Sequence, residues 1–140
     1  RFARTAFRIR EGVPHRPDVS FVGLAGEQVA GSIRLTPIRI GDTDALLLGP
    51  LTVSPDFKNR GLGKALMRTA MEAAAAAGDK VVLLVGDAPY YSPFGFQQVP
   101  FGRITLPGPV DPARLLVALL NDGDIPSGMV HGGASAAVAS

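Results

Sequence analysis

The sequence predicts a mixed α/β fold built on one sheet, and three observations carry that prediction. A strongly apolar strand, Asp44 to Ser54, runs through a glycine-rich basic turn into an amphipathic helix, and the apolar strand Lys80 to Val85 follows. Strand, helix, strand in that order is the right-handed crossover that joins two parallel strands. Upstream, Val19 to Leu24 and Gln28 to Ile40 read as antiparallel strands joined at Ala25-Gly26-Glu27, and downstream Phe96 to Val99 and Gly102 to Leu106 suit strands.

Each element has a local reason. Arg1 to Arg10 is basic and amphipathic, and Phe2, Ala6 and Ile9 share one helical face. Pro14 and Pro17 then enforce a loop. Gln28 to Ile40 is rich in β-branched residues, and Pro37 forces a bulge or an edge in it. After the turn Gly41-Asp42-Thr43, Gly49-Pro50 interrupts the next strand, since proline has no N–H to give. From Gly61, helical spacing puts Leu62, Ala65, Leu66, Thr69, Ala70 and Ala73 on one face and Lys64, Arg68 and Glu72 on the other. Gly78 ends that helix. The unbroken apolarity of Lys80 to Val85 fits a parallel strand covered on both faces. Asp111-Pro112-Ala113-Arg114 looks like a capped helix start. Gly128 to Ser140 is small and polar, a tail beyond a domain of residues 1–127. No internal repeat is evident.

Composition bounds the function. A chain of 140 residues with 46% hydrophobic residues forms one domain with a proper core, not a disordered segment. No apolar run approaches the roughly 20 residues that span a bilayer. The net charge is only +2 and the basic residues are scattered, with no motif for nucleic acid. The absence of cysteine excludes disulfides and thiolate metal sites. His15 and His131 have no ligand spacing around them, so no metal is expected.

The turn before the helix carries the chemistry. The first N–H groups of a helix lack an intrahelical acceptor, and the aligned peptide dipoles make that end partly positive. Gly61 and Gly63 let a ligand approach the backbone, while Lys58, Arg60 and Lys64 add full charges. A pyrophosphate suits such a place; a plain turn with solvated cations is the alternative. Walker A, GxxxxGK[ST], is absent, and the dinucleotide fingerprint would need glycine where Leu66 stands.

Lys58-Asn59-Arg60-Gly61-Leu62-Gly63 resembles the acetyl-CoA pyrophosphate loop of the GNAT superfamily of N-acetyltransferases, which reads Gln/Arg-x-x-Gly-x-Gly/Ala after a strand ending in Val-x-Pro. Val53-Ser54-Pro55 stands at the expected place, and Lys58 departs from the pattern, keeping charge but losing a planar fork. Downstream, Tyr91-x-x-x-Gly95-Phe96 matches the family's Tyr-x-x-x-Gly-Phe signature, and the run Val85 to Phe96 is similar to the YhbS-like branch. The resemblance is firm over residues 44–100.

That resemblance implies a largely antiparallel mixed sheet with a central, splayed parallel pair and helices on both faces. A last strand near Leu115 to Leu120 would lie beside the crossover pair. The family opens with a strand and a helix ahead of the stretch that Arg1 begins; they are missing here, through truncation, processing or a fold that dispenses with them, which would leave a new sheet edge. The implied activity is acetyl transfer from acetyl-CoA to a primary amine, small-molecule or protein, in the cytoplasm, by a monomer or homodimer without metal. The pantetheine arm would enter the splay and bond the backbone of the Leu51-Thr52-Val53 segment, the pyrophosphate would lie on Lys58 to Lys64, including Asn59 and Leu62, and Tyr91 would protonate the leaving thiolate. Tyr90 is expected to pack into the protein. Asp42, Asp44, Glu11 and Asp87 are each better read as solvated or turn carboxylates than as the general base. A catalytically silent acyl-CoA-binding module and a structural or interaction domain are the other readings.

Overall fold

A computed structural model describes residues 7–11, 19–26 and 28–132. Pro14, Pro17, Glu27, His15, Phe2 and Ala6 lie outside the described residues, as do residues 133–140. The chain forms β1 (Phe7–Glu11), β2 (Val19–Ala25), β3 (Gln28–Ile40) and β4 (Thr43–Val53), then helix α1 (Leu62–Ala76) and β5 (Val81–Val85). A four-residue helix α2 (Ala88–Tyr91) precedes β6 (Phe96–Gln98), β7 (Ile104–Thr105), β8 (Leu115–Leu119) and β9 (Gly128–Gly132).

The main sheet runs β1-β2-β3-β4-β5-β8-β6, with β4 and β5 parallel and the other neighbours in this path antiparallel. β8 therefore takes the expected place beside the crossover pair, bonded to β5 and β6. The central strands are buried on both faces, and their side chains divide by parity. Leu46, Leu48, Val82, Leu84, Leu116 and Ala118 join the core under α1, while Ala45, Val81, Leu83, Leu115 and Val117 join a second core on the opposite face. Residues that alternate at period two on doubly covered strands read as unbroken apolar runs.

Three expectations need correction. Phe7–Glu11 is a strand rather than part of a helix: Phe7 and Ile9 alternate with Arg8 and Arg10, a period that fits a strand. It pairs with β2 over its whole length, so the edge expected to lie open beside β2 is covered. Among the described residues α1 and α2 pack against the same core. The second face is covered instead by Val99, Ile104, Leu106, Ile125 and Val130. Finally, the stretch read as a tail opens with β9, which pairs with Ile38–Ile40 of β3 and with β7. Pro37 falls between the part of β3 paired with β2, ending at Leu35, and the part paired with β9. Its missing N–H costs little in that gap.

Helix α1 is set by its ends and its seat. At its C-terminus Gly78 is left-handed, with Gly78 N–H donating to the Ala75 carbonyl and Asp79 N–H to that of Ala74. These are the paired bonds of a Schellman stop. The buried stripe is Leu62, Leu66, Met67, Ala70, Met71 and Ala74, turned from the expected one because the two methionines, not Ala65 and Ala73, fill the core. Asp111 caps only a single turn, Pro112–Arg114, its carboxylate accepting from Ala113 N–H at 2.9 Å before the chain extends into β8.

The seat is a cross-strand pair of glycines. Gly23 and Gly31 oppose each other in β2 and β3, and a Cβ on Gly23 would stand 2.5 Å from a Leu62 methyl. The missing side chains let Leu62 sink onto the sheet and bring the start of α1 against it. At Gly31 a Cβ would also lie 2.6 Å from the Thr52 carbonyl oxygen, which belongs to the paired backbone of β4. Gly31→Ala is expected to destabilise the domain by about 1–3 kcal/mol, as overpacking does. Urea unfolding checks it; an unchanged midpoint would show that the sheet yields there.

Candidate active site

Parallel pairing between β4 and β5 stops almost as soon as it begins, with Leu46 opposite Val82 and Leu47 opposite Leu83. β4 then continues along β3 to Val53, and β5 along β8 to Val85. The divergence coincides with a bulge. Leu35 pairs with Leu48 and Ile33 with Leu51, so Gly49 and Pro50 together face Arg34 alone. Two residues against one bend a strand and raise its twist. The sequence thus places the break where β4 leaves β5.

A cleft of about 810 Å³ opens from this splay to the start of α1, within the range of small-molecule sites. Its β4 wall is Leu51, Thr52 and Val53; its floor is the turn and first residues of α1, with Lys58, Asn59, Gly61, Leu62, Gly63 and Lys64. Tyr90 and Tyr91 close the far side. Of the residues singled out from sequence, Arg60 alone is not in the lining. Its guanidinium stands 5.8 Å from the centre of the Phe57 ring, and Phe57 itself lines the cleft.

The start of α1 is open to an anion. Asn59 and Gly61 both take left-handed backbone (φ 64° and 85°), and Gly61 is the N-cap with no side-chain hydrogen bond to the helix. The first intrahelical bond runs from Ala65 N–H to the Gly61 carbonyl at 3.0 Å. The N–H groups before it have no acceptor within the helix. Lys58 and Lys64 add charge at the same end.

The two tyrosines divide the other wall. Pro89 sits in the first turn of α2, and Tyr90 and Tyr91 N–H both donate to the Asp87 carbonyl at 3.1 and 3.2 Å. Adjacent helical side chains diverge by about 100°, and the rings meet edge to face with centroids 4.8 Å apart. Tyr91 lies over Gly86, the residue after β5, where a Cβ would come within 2.5 Å of its ring. It is half-buried against the core under α1. Burial, then Tyr90 and the Asp87 carboxylate, push its hydroxyl above the ordinary 10.0, against the pull of Arg114. Arg114 pairs with Asp87 at 3.6 Å.

Tyr90 does not pack into the protein as expected. It is 40% exposed, and its hydroxyl reaches across the cleft to Gly63. Neighbouring residues on a four-residue helix cannot both turn inward, and Tyr91 takes the inner place. Phe57 and Tyr90 are the lining residues that sequence reasoning missed; the double tyrosine was the available signal for the second.

Among the described residues no carboxylate or histidine lines the cleft. Asp44, at the far end of β4, is paired with Arg39 at 3.5 Å and almost fully exposed. Among the described residues no cluster of histidine and carboxylates is built to hold a metal, and no helix is long and apolar enough to cross a membrane.

Comparison with known proteins agrees with this architecture. The solved structure of the GNAT N-acetyltransferase YhbS from Escherichia coli, in complex with CoA, superposes with a TM-score of 0.74 at 23% identity, over 82% of this chain and 67% of that one. A GNAT acetyltransferase from Brucella melitensis, in complex with acetyl-CoA, gives 0.72 at 23% identity, over 94% of this chain and 98% of that one. In sequence, 86 residues are 33% identical to the uncharacterized N-acetyltransferase YjhQ of Escherichia coli strain K12, covering 59% of this chain and 48% of that protein. The chain thus spans about half the length of this curated relative. Residues 3–96 match the acetyltransferase (GNAT) family model, two thirds of the whole, and the chain belongs to that family.

Proposed function

We propose that this domain transfers an acetyl group from acetyl-CoA to a primary amine by direct attack on the thioester. The observation that carries the reading is the single cleft joining the splayed edge of β4 to the uncapped start of α1. A linear molecule with an amide-rich arm and a pyrophosphate fits both ends at once. The arm lies along Leu51, Thr52 and Val53, hydrogen-bonding their backbone. The pyrophosphate sits on the turn from Lys58 to Lys64, with Arg60 contributing long-range charge.

The chemistry follows from that pose. The amine lone pair attacks the carbonyl carbon, a C–N bond forms, and the oxygen takes the negative charge. A backbone N–H at Leu51 stabilises that oxyanion; one preorganised donor is worth about 3 kcal/mol in a dry site. Collapse breaks the C–S bond, and Tyr91, at the β5 side of the splay, gives its proton to the thiolate. The attacking nitrogen loses its proton to water, since among the described residues no carboxylate or histidine lines the cleft. Asp42, Glu11 and Asp87 receive no role. The acceptor is a small-molecule or protein amine, and the cytoplasm, where acetyl-CoA is found, is the proposed location of a monomer or homodimer.

Calorimetry with acetyl-CoA, followed by a thiol assay of CoA release against a panel of amines, tests the proposal. Binding with amine-dependent release is the expected result. Binding without release to any amine would identify a silent acyl-CoA module. No binding, and no thermal stabilisation by acetyl-CoA, would leave a structural domain and overturn the reading.

A further inference from the structure

We propose that the Tyr90 hydroxyl donates a hydrogen bond to a phosphate oxygen of the bound coenzyme, and that residue 63 is glycine to leave that hydroxyl its place. The inference rests on the function proposed above and adds a residue to its binding site.

A Cβ built on Gly63 would stand 2.9 Å from the Tyr90 hydroxyl oxygen. Gly63 is the second residue of α1, in the turn whose N–H groups lack helical acceptors. The hydroxyl therefore lies at the flank of the first turn of the helix, in the cleft that Lys64 also lines. The ring is held there by its edge contact with Tyr91 and a tilted contact with Phe94 at 6.3 Å. Among the described residues no hydrogen bond to this hydroxyl is formed. A held O–H donor beside free N–H donors completes a ring of donors around one anion, and bonds to a charged acceptor are the stronger kind. The backbone at Gly63 does not require glycine, since its φ is not positive. What requires it is the occupant of the space above.

The test is a double-mutant cycle on CoA affinity, measured by calorimetry on variants checked for folding by circular dichroism. Tyr90→Phe should weaken CoA about tenfold, the size of one lost charge-assisted bond. Gly63→Ala should cost about as much, because its methyl displaces the hydroxyl. The double variant should then lose little more than either single one. Losses that multiply would show that Gly63 serves the ligand independently of Tyr90 and overturn the second half. Unchanged affinity in Tyr90→Phe would overturn the first. A competition arm locates the bond: Tyr90→Phe should weaken 4′-phosphopantetheine but not pantetheine, and equal weakening of both would put the hydroxyl on the arm and overturn the assignment. Failure of the wild-type protein to bind CoA would bring down the functional reading and this inference together, and is read separately from the variants.

Discussion

Tyr91→Phe is expected to lower kcat by about 100-fold or more while leaving the KM for acetyl-CoA nearly unchanged. The substitution removes one proton donor and keeps the ring that packs over Gly86 and the core. Positioned general acids contribute roughly 100- to 10,000-fold, and a group that acts only in the transition state shows its loss in kcat. Its environment suits the role: burial holds the hydroxyl protonated beyond the ordinary tyrosine value of 10.0. The pH profile should carry the same signature. Rate climbs as the amine loses its proton, then falls only above 10.0, and Tyr91→Phe abolishes that fall. Stability shifts in the same direction. A folded pKa raised above the unfolded one contributes stability that is fully present below the unfolded value and is lost as pH rises through the folded one. Steady-state kinetics with any accepted amine decide the point. Full turnover in Tyr91→Phe would assign thiolate protonation to water. The loss appearing in Tyr90→Phe instead would place the motif one residue away.

Much of this was legible because the informative features are local. Val53-Ser54-Pro55 ends β4, Gly61 stands at the N-cap of α1 and Gly78 stops it, each acting within a turn of its own position. The apolar run of β5 announced a strand buried on both faces, whereas the place of β8 was implied only by the family resemblance. What escaped depends on distant partners. Phe7–Glu11 fits both a helical and an alternating period, and only the free edge of β2 decides between them. Gly128–Gly132 offers little apolar signal besides Val130, and it is a strand because Ile38–Ile40 extends past the end of β2. The glycine pair Gly23 and Gly31 reads as flexibility until Leu62 is seen seated on it. Tyr90 follows the same rule. Nothing in its own segment reveals that its hydroxyl meets a glycine 27 positions earlier, since Gly63 approaches it through the packing of α1 on the sheet.

Gly63→Val is expected to weaken acetyl-CoA binding by about 100-fold or more in a protein that still folds. A Cβ at this position points between the Tyr90 hydroxyl at 2.9 Å and a Val53 methyl at 3.7 Å, that is, between the far wall of the cleft and the end of β4. In the proposed pose this is the corridor through which the arm leaves the pyrophosphate turn for the splay. A branched side chain fills it and covers the N–H groups of the first helical turn. Losing two or more charge-assisted bonds at roughly 1.5–3 kcal/mol each accounts for the factor. The fold should tolerate the change because the backbone there is not left-handed and the nearest obstacle is the tip of a tyrosine rather than main chain. Gly61→Val is the instructive contrast. Gly61 has φ 85°, so that variant strains the start of α1 itself and should lower stability along with affinity. Calorimetry and thermal unfolding on both variants separate the two effects. Gly63→Val with native stability and undiminished affinity would move the coenzyme off this turn, and with it the whole orientation of the thioester toward Leu51 and Tyr91.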